Sequence, residues 1–174
     1  KAVLLKDMKL LAKSIVAVIA ILILLRACGP FGSGVNPLIG QLAPDFTLGT
    51  LSGREKTMGL FRDGQPAVIF FWTTWCPHCR GQLKELTQQR ANIEEKGIKI
   101  ILVDIGEDIR EVKAYFNENN ISFDTFLDQD GVVVDSYDII GVPMFFLVNA
   151  RGFVVAAEHE LGSGYEEILL GLLP

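Results

Sequence analysis

The sequence is poor in the residues from which most metal and nucleotide sites are built. It has three cysteines and two histidines in 174 residues. Only one pair of cysteines stands close together, so a structural zinc site made from two Cys/His pairs has no second pair. No glycine-rich phosphate-binding fingerprint and no internal repeat occurs. Basic charge is not in excess either, with 16 Lys and Arg against 21 Asp and Glu. Phosphate affinity comes from clustered Lys and Arg, so nucleic acid is excluded as the default partner. Apolar mass is what the chain does have: 49% of its residues are hydrophobic and 21% charged. That composition excludes a disordered polyampholyte. The same composition excludes a multi-span membrane protein, and the longest unbroken apolar run, Ile15–Leu25 at 11 residues, suits a signal-peptide core better than a full span of about 20. The length suits one domain with a core of its own plus a short appendage.

The appendage is N-terminal. Residues 1–30 carry Lys1, Lys6, Lys9, Lys13 and Arg26 against Asp7 alone, and the rest of the chain is acidic. Leu10–Leu25 is apolar except for Lys13 and Ser14. With its basic flank on the N-terminal side, it predicts a signal anchor whose N-terminus stays in the cytoplasm. Leu25-Arg26-Ala27-Cys28-Gly29 also resembles a lipoprotein signal ending in an acylated Cys28, although Arg26 departs from that pattern. Either reading predicts attachment to the membrane through the N-terminus and a domain on the extracytoplasmic side. Gly29–Gly40 holds four glycines and two prolines and reads as a tether. The expected division is 1–28 as signal anchor or lipoprotein signal, 29–40 as flexible linker and 41–174 as the folded domain.

Within the domain, Asp45–Thr50 and Glu55–Met58 flank a hairpin signal at Leu51–Arg54. Ala67–Trp72 is continuously apolar, the mark of a strand buried on both faces. Pro77–Lys96 has helical spacing at Leu83, Leu86, Arg90 and Ile93, with Gly97 as its stop. Ile98–Ile105 and Thr125–Leu127 read as strands and Ile109–Asn119 as a helix. Val132–Tyr137 is ambiguous, because its β-branched residues favour a strand while its position suits a helix. Met144–Val148 and Phe153–Ala157 flank a second hairpin signal, and Tyr165–Leu173 reads as a terminal helix. Strands alternating with helices and closed by a hairpin predict a three-layer α/β domain.

The chemistry sits in Trp75-Cys76-Pro77-His78-Cys79. The pair follows a buried strand and opens a helix, where a thiolate meets unsatisfied N–H groups and the positive end of the macrodipole. Pro77 suits the first helical turn, which needs no N–H from it. His78 adds a donor, and a cation when protonated. Such surroundings lower a cysteine pKa from about 8.5 into the range of about 3.5–7.5, and a stabilised thiolate makes the corresponding disulfide more oxidising. A purely structural bridge over two residues closes almost no loop and stabilises little. Two thiolates with His78 or Met144 also suit copper(I).

Ala43-Pro44-Asp45-Phe46-Thr47-Leu48, the strand leading into Trp-Cys-X-X-Cys, Val103-Asp104-Ile105-Gly106-Glu107, and Gly141-Val142-Pro143 ahead of Met144–Asn149 together resemble the thioredoxin fold. More narrowly they resemble the membrane-anchored TlpA/ResA-type thiol–disulfide oxidoreductases. The resemblance runs from about Gly40 to the C-terminus. It implies a central mixed sheet flanked by helices, with an N-terminal hairpin and a central insertion. It implies Cys76 as nucleophile, Cys79 as resolving cysteine, and a cis Val142–Pro143 peptide that faces them and offers backbone to an extended substrate. Trp75 would shape the surface beside the accessible sulfur. The implied activity is disulfide exchange with protein thiol and disulfide substrates by a monomer, using the Cys76–Cys79 dithiol and no bound cofactor or metal. Reduction is the expected direction, for instance in cytochrome c maturation, with electrons from a membrane thiol carrier.

The departures are specific. Thioredoxins carry a buried acid six residues before the first cysteine, where this chain has Phe70, so Glu107 is the candidate proton relay. Lys84 replaces the usual helix proline. Pro77-His78, with Val142 before the proline, is similar to the oxidising DsbA type. The alternatives are therefore a DsbA-like dithiol oxidase and a copper-binding chaperone on the same fold. A peroxiredoxin is disfavoured by Ile69, which stands where that family has proline.

Overall fold

The computed structural model describes residues 36–171. Leu10–Leu25, Cys28 and the first part of the tether lie outside the described residues. Among the described residues no helix is long and apolar enough to cross a membrane. The end of the tether is tied to the domain: Asn36 Nδ2 donates to the Tyr137 carbonyl at 3.1 Å, and Gly40 N–H donates to the Val154 carbonyl at 2.8 Å.

The elements, in chain order, are β1 (Thr47–Gly49), β2 (Glu55–Thr57), α1 (Met58–Arg62), β3 (Ala67–Trp72), α2 (Pro77–Glu95), β4 (Lys99–Ile105), α3 (Ile109–Glu118), β5 (Thr125–Asp128), α4 (Val132–Ser136), β6 (Met144–Val148), β7 (Val154–Glu158) and α5 (Tyr165–Leu170). The main sheet has the order β5-β4-β3-β6-β7. Its β3, β4 and β5 run parallel, while β6 is antiparallel to both β3 and β7.

Central β3 is buried at all six positions, and alternation sends its side chains to two cores. Val68, Phe70 and Trp72 join Leu83, Leu86 and Ile93 of α2, Val112 and Phe116 of α3, and Leu169 of α5. Ala67, Ile69 and Phe71 join Met58 of α1, Val133 of α4 and Phe146 of β6. Helices thus cover both faces, giving the three expected layers. Phe70 stacks on Phe145 with ring centroids 4.3 Å apart, a contact worth about 0.5–1.5 kcal/mol beyond area burial.

The β1–β2 hairpin lies along the open edge of β5. Leu51 N–H donates to the Thr125 carbonyl at 3.1 Å, and Lys56 pairs with Asp124 at 2.7 Å, so this strand edge is covered rather than left to aggregate. Two short helices differ from the sequence expectation. Met58, expected to end a strand, begins α1. Asp45 Oδ1 accepts from Gly59 N–H at 2.7 Å, and a Cβ at Gly59 would come within 2.9 Å of Asp45 Oδ2, so a side chain there would have to displace this carboxylate. Val132–Ser136, ambiguous from sequence, is helical. The Asp128 carboxylate accepts from Val133 N–H at 3.2 Å and Val134 N–H at 2.9 Å, and this capping outweighs the β preference of three consecutive valines.

Candidate active site

The site forms where β3 ends and α2 begins. Cys76 is the N-cap of α2, in extended conformation, and its sulfur accepts from Cys79 N–H at 3.2 Å. Pro77 occupies the first helical turn, so one of the orphan amides is absent without cost. The 19-residue helix directs its dipole at the sulfurs from behind. Gly97, at φ 73°, takes the left-handed conformation that ends the chain's helical course.

Cys76 and Cys79 are joined as a disulfide with Cα atoms 5.2 Å apart. Cys79 is fully buried and Cys76 is 5% exposed, so the only approach is to Cys76, and it is narrow. His78 is exposed beside the pair. Trp75 is 69% exposed and is a surface residue rather than a core aromatic; the core tryptophan is Trp72. Across from the sulfurs, Val142–Pro143 is a cis peptide, and the Val142 carbonyl oxygen lies 3.8 Å from Cys76 Sγ. The fold therefore brings Trp75, Cys76, Cys79, Val142 and Pro143 together.

Glu107 is 7% exposed, not the solvated loop residue its type suggests. Its carboxylate accepts from Thr74 N–H at 2.6 Å and from the Thr74 hydroxyl. It thereby fixes the loop two residues ahead of Cys76. Among the described residues no hydrogen bond joins it to either sulfur.

Sequence reasoning missed Asp104. It is opposite Trp72 in the β3–β4 register and fully buried, and neither carboxyl oxygen has a hydrogen-bond partner among the described residues. Burial first, and then the Glu107 carboxylate beside it, push its carboxyl up to about 9. The signal was present in the alternation Ile98, Ile100, Leu102, Asp104, which puts this carboxyl on the face of the sheet covered by α2 and α3. Phe70 is fully buried and stacks on Phe145, and β3 carries no acidic residue. Lys84 is an exposed position within an unbroken α2. Among the described residues no group of three His, Cys, Asp or Glu side chains is gathered as a metal site would need.

The AhpC/TSA family pattern matches residues 39–157. The thiol-disulfide oxidoreductase ResA of Bacillus subtilis (strain 168) is 30% identical over 116 residues, covering 67% of this chain and 64% of that protein. The chain thus aligns with just under two thirds of that relative's length. The thioredoxin domain of a thiol-disulfide oxidoreductase from Bacteroides vulgatus has a TM-score of 0.67 at 26% identity, covering 78% of this chain and 98% of that one. A secreted Mycobacterium tuberculosis disulfide oxidoreductase, homologous to E. coli DsbE, has a TM-score of 0.62 at 27% identity, covering 71% and 96%. The chain belongs to the AhpC/TSA family, and within it is similar to proteins named thiol-disulfide oxidoreductase ResA.

Proposed function

We propose that the protein is held at the membrane by its N-terminus and reduces disulfides of extracytoplasmic proteins, apocytochrome c before haem attachment being one such client. The observation that carries this reading is the asymmetric cysteine pair, with one sulfur reachable, one buried, and the cis Val142–Pro143 edge over the reachable one. In the reduced protein the Cys76 thiolate attacks a substrate disulfide. A mixed disulfide forms on Cys76 and one substrate thiolate leaves. Cys79 gives up its proton, attacks Cys76 Sγ, and expels the second substrate sulfur as thiolate. The substrate gains two electrons and the protein is left with the Cys76–Cys79 disulfide. A membrane thiol carrier restores the dithiol, and no bound cofactor takes part.

The Cys79 N–H and the α2 dipole lower the cost of the Cys76 thiolate, and His78 adds a donor at the same end. Trp75 and Val142–Pro143 bind the substrate segment around its disulfide. Glu107, which Thr74 holds two residues ahead of Cys76, is the candidate acceptor for the Cys79 proton. The Pro77-His78 dipeptide supports a second reading, a dithiol oxidase.

Equilibration with glutathione buffers separates the two directions. Thioredoxin-fold proteins span about −270 to −120 mV, and about 30 mV corresponds to 1.4 kcal/mol. A Cys76–Cys79 potential near the low end is expected. A value near the high end would reverse the assigned electron flow.

A further inference from the structure

His159 reads from sequence as a surface residue at a strand end, and it is exposed just beyond β7. Its ring is nevertheless engaged at the active-site edge: Nδ1 lies 2.8 Å from the carbonyl oxygen of Pro143. A carbonyl can only accept, so Nδ1 carries the hydrogen and donates. The β6–β7 ladder has its last pair at Phe145 and Glu158. Beyond that pair the strands no longer bond backbone to backbone, and the His159 side chain takes over the Pro143 carbonyl. Two residues on, Leu161 N–H donates to Gln82 Oε1 at 3.4 Å, and Gln82 belongs to the first turns of α2. The segment His159–Leu161 is therefore a strap. One end holds the proline beside Val142, whose carbonyl faces Cys76, and the other holds the helix that carries Cys79.

We propose that His159 is a positioning residue for protein substrates, which sets the Val142–Pro143 edge against Cys76 by holding the Pro143 carbonyl. This rests on the proposed function, because the edge matters only if an extended substrate lies along it. The hydrogen bond needs only Nδ1–H, which both the neutral tautomer and the protonated ring supply. A small disulfide that meets Cys76 directly does not use the edge.

The test uses the full chain with insulin as the protein disulfide and glutathione disulfide as the small one. His159→Phe removes the donor and keeps a planar ring. Losing one hydrogen bond corresponds to about a three- to tenfold rise in KM for insulin, with kcat nearly unchanged and glutathione disulfide turnover unaffected. His159→Asn places an amide N–H near the Nδ1 position and should restore the insulin KM. An unchanged insulin KM in His159→Phe, or a parallel loss on both substrates with a lowered melting temperature, would overturn the assignment. A wild-type chain that cannot turn over insulin at all would instead remove the proposed function, and this inference with it.

Discussion

The Asp104→Asn variant probes a buried carboxyl that has no compensating partner among the described residues. Asp104 is fully buried, its oxygens have no hydrogen-bond partner among the described residues, and the charged groups acting on it, Glu107 and Glu111, are both acidic. Its carboxyl titrates at about 9 in the folded chain, against an ordinary value of 3.8. Between those two values the folded state keeps a proton that the unfolded state has released. Stability must therefore fall as pH rises through that window. Each pH unit is worth about 1.4 kcal/mol at most, so up to about 4 kcal/mol has been lost by pH 7. Asparagine has nearly the same shape and no proton to lose, which removes this dependence. Urea unfolding of the oxidised wild-type and Asp104→Asn proteins at pH 5, 7 and 8.5 measures it. The expected result is an advantage for the variant that is small at pH 5 and grows by at least about 1 kcal/mol by pH 8.5. A difference that stays constant across pH, or a variant that loses stability most at high pH, would show Asp104 to be an ionised, partnered carboxylate and would refute the reasoning.

The cysteine asymmetry makes an equally direct prediction. Cys79→Ser should accumulate a mixed disulfide between Cys76 and a protein substrate, visible on a non-reducing gel, whereas Cys76→Ser should trap nothing because Cys79 is fully buried. Trp75→Ala should change stability by less than about 0.5 kcal/mol, as expected of an exposed side chain, yet raise KM for a protein disulfide. A large loss of stability would mean that the indole packs in the core.

The active-site pair was legible in the sequence because its determinants are local. An all-apolar strand, a Trp-Cys-Pro-His-Cys turn and a helix-period segment closed by Gly97 are each set by residues within a turn or two of one another, and the structure has them in those places. The short helices were harder to read. Met58–Arg62 depends on the Asp45 carboxylate 14 residues away. The helix at Val132–Ser136 runs against the propensity of its own residues because Asp128 caps it. Asp104 and Glu107 were both visible as residues, but their environment was not. Within a strand-and-loop segment nothing marks one carboxyl as orphaned and the other as bound to Thr74, since both facts come from the helices and loop packed over them.

By itself, then, the sequence determined the chemistry: which sulfurs are present, that they share one helix end, and that the domain around them is layered α/β. Tertiary structure alone decided what surrounds those sulfurs. Val142 is 66 residues from Cys76 in the chain and 3.8 Å from its sulfur in space, and His159 reaches Pro143 only because β7 returns beside β6. Local preferences act over a few bonds, whereas burial and long-range pairing depend on how the whole sheet closes, and these set which cysteine is reachable and which acid keeps its proton.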